Sequence, residues 1–145
     1  MNQCASNLLM IRPASFQYNL QTAESNDYQT KTLLSKEEAI AKAQAEFDAM
    51  VEILEQNEIS VWVVEDTAEP EKPDAVFPNN WISMHQNDDI YLFPMKTPNR
   101  SAERRADIIS FIQDNFEVNE VFDWSYFEKD ALALEGTGSM IFDHI

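Results

Sequence analysis

Two segments of this chain, Pro73-Asp-Ala-Val-Phe-Pro-Asn-Asn-Trp81 and Leu134-Glu-Gly-Thr-Gly-Ser-Met-Ile-Phe142, follow one plan. Each has an acidic residue, Asp74 or Glu135, where a strand is expected to begin, ahead of a turn-forming stretch. The two acids lie 135 − 74 = 61 positions apart. A repeated unit that delivers one carboxylate per copy can hold a guanidinium from two sides, because that planar group presents five donors in a fork. The alternative is that each acid only caps a turn.

A similar interval recurs elsewhere in the chain. Predicted strands begin near Ile59 and Asn119, which are 119 − 59 = 60 positions apart, and His85 and His144, at strand ends, are 144 − 85 = 59 apart. We therefore predict an α/β fold in which a βαβ-type unit with a hairpin strand is repeated. The first unit is expected at about residues 7–95 and the second, incomplete, at about 90–145.

The pattern of apolar residues places the elements of this fold. Ser35 and Glu38 form a capping-box signature at the start of a predicted helix at 36–57, whose inward residues are Ile40, Ala43, Phe47, Met50, Val51 and Leu54. A second helix is predicted at about 100–114, with Ile108, Ile109 and Ile112 inward, and a short helical turn at 124–128. Strands are predicted at 8–11, 59–64, 81–84, 90–93 and 118–122, and the stretches 131–134 and 139–142 resemble the earlier hairpin.

Composition excludes several classes of protein. The net charge of −16 opposes contact with a phosphate backbone and favours cationic ligands, so no nucleic-acid partner is expected. The sequence contains no apolar run of the length that spans a membrane and no signal peptide. A single cysteine, Cys4, fits a reducing compartment, so we expect a cytoplasmic protein.

The two matching segments contain further candidate binding residues. Phe77, Asn79 and Asn80 bring an aromatic ring and two amides together, and amides suit an amidino or ureido group, or else a tight turn. Gly136 and Gly138 allow close backbone approach, either by a ligand or by a neighbouring strand.

The remaining reactive residues offer little chemistry. Arg100 either holds a substrate carboxylate or is a solvated helix charge. His85 and His144 lack partners at metal-ligand spacing, and no histidine lies close enough in sequence to Cys4 to activate it. The sequence thus predicts no metal, no cofactor and no catalytic residue in this chain.

Five segments of the chain resemble the amidinotransferase-related group of which citrulline-utilisation hydrolases are typical, and more distantly arginine deiminase and dimethylarginine dimethylaminohydrolase. They are Leu-Met-Ile-Arg-Pro-Ala-Ser-Phe at 9–16, Asp-Ala-Val-Phe-Pro-Asn-Asn-Trp-Ile-Ser at 74–83, Leu-Phe-Pro-Met at 92–95, Asn-Arg-Ser-Ala-Glu-Arg-Arg at 99–105 and Leu-Glu-Gly-Thr-Gly-Ser-Met at 134–140. The resemblance implies a pentein fold, an α/β propeller of five ββαβ units with mixed sheets and the helices outside. This chain would supply about two of the five.

The resemblance also implies a chemistry. In this group a cysteine attacks the amidino or ureido carbon, a histidine acts as acid and base, and acids hold the substrate nitrogens. Asp74 and Glu135 match the substrate-holding acids, and Asn79 and Asn80 fall in a stretch that is acidic in the distant relatives. Arg100 is then a carboxylate-binding arginine, and the loop at 14–34 resembles a lid.

The family's catalytic histidine and cysteine belong to later units, so we expect this chain to be an N-terminal portion of a guanidino- or ureido-modifying enzyme. Its ligand would be a small guanidino or ureido compound, and the isolated chain would be inactive. The alternative is a non-enzymatic module that binds a partner or self-associates through an open sheet edge at residues 139–145.

Overall fold

The computed structural model describes residue 5 and residues 7–24 and 26–141, and it has a mixed α/β architecture with two sheets. The chain divides into two compact units, of which the first extends to Val76 and the second begins at Phe77. Each unit contains its own sheet. Among the residues described, no helix has both the length and the apolar character needed to cross a membrane.

The first unit is a βαβ arrangement. Strand β1 (Asn7–Arg12) and strand β2 (Ser60–Glu65) pair in parallel, and helix α1 (Lys36–Gln56) connects them. The Ser35 hydroxyl accepts a hydrogen bond from the Glu38 backbone N–H, and the Glu38 carboxylate accepts one from the Ser35 N–H. This reciprocal cap satisfies two backbone donors that the first turn leaves open. The predicted helix and both predicted strands are confirmed.

The buried face of α1 is narrower than the sequence pattern predicts. Phe47 and Ala39 are buried, but Met50, expected to point inward, is 53% exposed. The sheet beside the helix has two strands, and strands lie only about 4.8 Å apart, so it covers a narrow part of the helix surface.

The second unit contains a three-stranded mixed sheet in the order β3-β4-β5. Strand β3 (Ile82–Met84) forms an antiparallel hairpin with β4 (Ile90–Leu92), and β5 (Val121–Asp123) pairs with β4 in parallel. A 3₁₀ helix at Pro78–Asn80 precedes β3, and a second at Ser125–Asp130 follows β5. The buried apolar residues of this unit are Trp81, Ile82, Ile90, Leu92, Phe93, Met95, Ile108 and Ile112.

The predicted helix at 100–114 is two helices, α2 (Pro98–Ser101) and α3 (Ala106–Asn115). Between them Arg105 is extended, with φ −81° and ψ 134°. Arg104, in the same break, donates to the Phe93 carbonyl at 3.0 Å and lies 2.9 Å from the Glu128 carboxylate. These tertiary contacts fix the chain where helical spacing alone would continue the helix.

The predicted strands at 131–134 and 139–142 are wrong over the residues described. Ala131 has a left-handed φ of 56°, and residues 132–135 form no regular element. Residues Gly136–Ser139 instead form a short helix, α4, and residues 140–141 form no strand. Phe142 and the rest of the expected open edge lie outside the described residues. Glu135 therefore precedes a helix rather than a strand.

A strand–helix–strand order with parallel strands occurs in each of the two units. Helix α1 connects the parallel strands β1 and β2, and helices α2 and α3 lie between the parallel strands β4 and β5. Strands β2 and β5 begin at Ser60 and Val121, which are 121 − 60 = 61 positions apart. This is the interval that separates Asp74 from Glu135.

Candidate functional site

Five of the six candidate binding residues lie in the second unit, around a contact between α4 and the 3₁₀ helix Pro78–Asn80. The contact depends on Gly136, which is buried with φ 38°. A Cβ atom built on this residue would lie 2.4 Å from the Asn79 carbonyl oxygen and 2.9 Å from that of Asn80. The sequence predicts a ligand or a neighbouring strand beside this glycine, whereas the structure has the backbone of the 3₁₀ helix Pro78–Asn80 there. The glycine lets the Glu135 segment rest directly on the asparagine turn.

Side chains reinforce this contact. The Asn79 amide donates to the Thr137 hydroxyl, which in turn lies 3.3 Å from the Asn79 carbonyl oxygen. Gly138 is also closely packed, since a Cβ there would lie 2.8 Å from Nδ2 of Asn80. The two segments singled out in the sequence thus supply the two sides of one packed surface, through Asn79 and Asn80 on one side and residues 136–138 on the other.

Glu135 is held at the edge of this surface. Its Oε1 accepts the backbone N–H of Lys96 at 2.9 Å, and its own N–H lies 3.3 Å from the Ser139 hydroxyl. Its Oε2 makes no hydrogen bond within the part of the chain that the structure describes. The carboxylate is half-buried, oriented from one side, and has capacity for further donors.

Arg100 is buried rather than solvated. Its Nε lies 2.8 Å from the carboxylate of Glu103, which is also buried, and its Nη2 donates to Oδ1 of Asn80 at 3.0 Å. The guanidinium thus holds the Asn80 amide in place while Glu103 balances its charge. Sequence reasoning missed Glu103, although a three-residue spacing from Arg100 is a recognised signal for a helical ion pair.

Phe77 stands at the start of the 3₁₀ helix, where its carbonyl accepts the Asn80 N–H at 3.2 Å. Its ring is half-exposed. An exposed aromatic face is a surface on which a planar cation can stack.

Asp74 belongs to the first unit and lies in a turn after Lys72, whose carbonyl accepts the Ala75 N–H at 3.1 Å. It is 7% exposed, and its Oδ2 accepts a hydrogen bond from Nδ2 of Asn19 at 2.7 Å. Asn19 belongs to the long loop between β1 and α1. Sequence reasoning missed it, because nothing local distinguishes it from the loop's other polar residues.

The other candidate groups show no reactive arrangement. Nε2 of His85 lies 2.9 Å from the Ser83 hydroxyl, and the ring meets Tyr91 edge to face. Over the residues described, no group of three or more His, Cys, Asp or Glu side chains could hold a metal ion. Cys4 and His144 lie outside the described residues.

The carboxyl groups with lowered pKa values belong to ion pairs at the surface and to the cap of α1. Hydrogen bonds from Arg12 and Lys36 lower the pKa of Asp48 and Glu71, respectively, and hydrogen bonding from Arg105 lowers that of Asp107. The cap at Ser35 lowers the pKa of Glu38. These shifts mark exposed structural contacts rather than a catalytic acid or base.

Residues 12–145 match the family model described as N,N dimethylarginine dimethylhydrolase, eukaryotic. The chain belongs to the dimethylarginine dimethylhydrolase family. The resemblance to pentein proteins read from the five motifs is confirmed, and with it a relationship to hydrolases that act on guanidino compounds. No curated protein matches the chain.

Solved structures of other proteins have a similar fold. One is the N-terminal domain of ArgZ bound to substrate, where ArgZ is an arginine dihydrolase from the ornithine-ammonia cycle in cyanobacteria. It matches this dimethylarginine dimethylhydrolase family member with a TM-score of 0.61 at 19% identity. The match covers 94% of this chain and 45% of the ArgZ domain. Unliganded AgrE matches with a TM-score of 0.61 at 18% identity, covering 91% of this chain and 17% of that one. The chain therefore spans less than half of either structure, and at these identities the likeness concerns the fold.

Proposed function

We propose that this chain provides the substrate-binding part of a hydrolase that acts on guanidino or ureido compounds. Asp74 in the first unit and Glu135 in the second are the acids that hold the substrate nitrogens, and Asn79 and Asn80 add polar groups beside α4 in the second unit. The contact of Gly136 with the Asn79 and Asn80 carbonyls carries the proposal, because it assembles a carboxylate and two amides that are far apart in sequence.

The chemistry of these groups suits such a substrate. A guanidinium has N–H donors and no acceptor, so it needs carboxylate and carbonyl oxygens around it. Glu135 is prepared for this by its bond to Lys96, which orients one oxygen and leaves the other available. An amide pair carries no charge, so Asn79 and Asn80 also accommodate a neutral ureido group.

Phe77 and Arg100 take supporting parts in the proposed site. The half-exposed Phe77 ring is the stacking surface for the planar head of the substrate. Arg100 is retained as a binding residue, but its contacts with Glu103 and Asn80 support a role in fixing the Asn80 amide. A substrate carboxylate would have to compete with Glu103 for this guanidinium.

The finer architecture belongs to the same proposal. The repeated strand–helix–strand order supports about two ββαβ units, at roughly residues 7–95 and 90–145, of a five-unit propeller with its helices outside. The catalytic cysteine and histidine would then come from units beyond these, so the 145 residues alone bind the substrate but do not hydrolyse it. Hydrolysis by the isolated chain that depends on Cys4 would contradict this assignment.

Binding to the isolated chain tests the proposal directly. We expect L-arginine, its dimethylated form and L-citrulline to bind weakly in calorimetry or NMR titration, and Asp74→Asn and Glu135→Gln each to weaken binding about tenfold, equivalent to about 1.4 kcal/mol. The matched control is Glu117→Gln, which removes an exposed carboxylate of the second unit. Equal losses from all three variants, or no binding by the parent chain, would refute the proposal.

A further inference from the structure

The long loop between β1 and α1 is tied to Asp74 by a buried hydrogen bond. Asn19 is 1% exposed, and its Nδ2 donates to Oδ2 of Asp74 at 2.7 Å across 55 positions of sequence. Because both partners are buried, losing either leaves the other with one hydrogen bond fewer away from water, which costs more than the bond itself contributes.

The orientation of the Asn19 amide is fixed by a second bond. Its Oδ1 accepts the backbone N–H of Gln21 at 3.0 Å, an Asx-turn contact that occupies the oxygen and leaves the NH₂ group to face Asp74. A flipped amide would lose this contact and turn its oxygen toward a carboxylate. The carboxylate of Asp74 thus has a donor in a defined place on one side.

Gln29 closes the loop around Asn19. Its Oε1 accepts the Asn19 backbone N–H at 3.0 Å, and its Nε2 donates to the Asn19 carbonyl at 3.1 Å. The same Nε2 lies 3.3 Å from the hydroxyl of Thr22, which is also bonded to the Asn19 carbonyl. One side chain therefore satisfies both backbone groups of Asn19 and fixes that residue's backbone in space.

We propose that Asn19 is a positioning residue for Asp74 and that Gln29 acts on Asp74 through Asn19. The loop is then a support for the acid, and its hydrogen bonding around Asn19 is coupled to the binding of a guanidino compound at Asp74. Since such coupling is reciprocal, a ligand at Asp74 strengthens the hydrogen-bonded loop by the factor by which that bonding strengthens ligand binding. The coupling to ligand binding rests on the proposed function, whereas the positioning of Asp74 rests on the contacts alone.

The ligand-free chain tests the positioning. In ¹³C- and ¹⁵N-labelled protein, the Asp74 carboxyl resonance is assigned with Asp74→Asn. We expect Gln29→Ala to move this resonance, because the Gln29 side chain bonds to Asn19, which bonds to Asp74. We expect it also to speed exchange of the Asn19 side-chain amide roughly tenfold, the factor for one lost hydrogen bond. Gln29→Glu, which keeps the acceptor and loses the donor, should give a smaller change.

Gln17→Ala is the matched control. Gln17 lies on the same loop but donates to Glu71 at 2.9 Å, so its loss should leave the Asp74 resonance and the Asn19 amide unchanged. An Asp74 resonance that is unmoved in folded Gln29→Ala, or equally moved by Gln17→Ala, would overturn the positioning role.

Ligand titration separates this inference from the proposed function. We expect L-arginine to bind Asn19→Ala and Gln29→Ala about five- to tenfold more weakly than the parent chain and to bind Gln17→Ala as the parent does. If arginine binds the parent and Gln29→Ala equally, the coupling is wrong. If arginine does not bind the parent while Gln29→Ala still moves the Asp74 resonance, the proposed function fails and the positioning role stands.

Discussion

At the scale of single residues, the two glycines of the chain differ in what a methyl group would meet. At Gly136 a Cβ would strike two backbone carbonyl oxygens, at 2.4 and 2.9 Å, and φ is +38°. At Gly138 its nearest neighbour would be the side-chain amide of Asn80, at 2.8 Å, which can rotate away. We expect Gly136→Ala to lower the free energy of unfolding by about 2–4 kcal/mol and Gly138→Ala by about 1 kcal/mol or less. Urea denaturation measures both, and equal losses would show that the backbone at Gly136 can move.

Asp48 makes stability depend on pH. Its carboxylate receives two hydrogen bonds from Arg12, at 2.7 and 2.9 Å, which lower its pKa. A lowered pKa stabilises the folded state at every pH above the unfolded value of about 3.9, and this stabilisation is lost as the pH falls through the folded value. The pKa of Arg12 is raised, so its own contribution is constant in acid.

We therefore expect Asp48→Asn to flatten the fall of the unfolding free energy between about pH 5 and pH 3. Denaturation in urea across this range measures the slope. Arg12→Met should flatten the slope similarly, and the double variant should add little to either single change. A slope unchanged in Asp48→Asn would contradict the assignment.

Sequence reasoning could propose those candidate residues whose signal is local. Asn79, Asn80 and Glu135 stand in motifs that resemble those of the family, so their positions in these motifs marked them. Asn19 could not be found this way, since its contact with Asp74 spans 55 positions and depends on the path of an aperiodic loop. The burial of Arg100 was missed for a related reason, because its pairing with Asn80 depends on where the second unit places the 3₁₀ helix.

At the scale of elements, a buried lysine organises the segment between β2 and Asp74. Nζ of Lys72 donates to the Thr67 and Pro70 carbonyls at 2.9 and 2.7 Å and lies 3.2 Å from the Asp66 carboxylate. The side chains of Lys72 and Asp66 are each 1% exposed. Removing one member of a buried pair leaves the other charge unbalanced, which typically costs about 3–5 kcal/mol.

We expect Lys72→Met to destabilise the first unit by that amount, and Lys72→Met with Asp66→Asn to be less destabilised than the single variant, because no charge remains buried. The control is Lys42→Met. Lys42 and Glu46 are both exposed and lie 3.9 Å apart, so losing this pair should lower the free energy of unfolding by less than about 1 kcal/mol. Thermal and urea denaturation compare the three. A double variant less stable than Lys72→Met would show that the cost of losing Lys72 does not come from the unbalanced charge of Asp66.

Elements were predictable where the local sequence fixes them and not where tertiary contacts do. The capping box located the start of α1 at Lys36, because Ser35 and Glu38 satisfy open backbone donors by themselves. The break between α2 and α3 has no such signal, since Arg104 is held there by Phe93 and Glu128 from other elements. The short helix α4 stands where a strand was expected. It could not be predicted, because a glycine such as Gly136 can adopt a positive φ in several kinds of structure, which the sequence alone does not distinguish.

At the scale of the whole molecule, the net charge of −16 acts on any charged ligand from a distance. The electrostatic screening length is about 30 Å at 0.01 M salt and about 8 Å at 0.15 M salt. The attraction for a cation is therefore the summed effect of many carboxylates at low salt and of a few nearby groups at physiological salt. A neutral ligand feels neither.

L-arginine and L-citrulline separate these two contributions, because they have similar shapes and differ by one positive charge. We expect the affinity for arginine to fall as NaCl rises from 0.01 to 0.15 M, while that for citrulline changes little. The preference for arginine over citrulline that remains at 0.15 M NaCl measures the contribution of acids close to the ligand. Glu135→Gln should therefore reduce the preference at 0.15 M NaCl and leave the change in arginine affinity between the two salt concentrations almost intact. Calorimetric titration at the two salt concentrations gives all the affinities, with Glu117→Gln as the control for loss of one distant charge. A preference for arginine that disappears entirely at 0.15 M would mean that the general field, and not a carboxylate at the site, recognises the guanidinium.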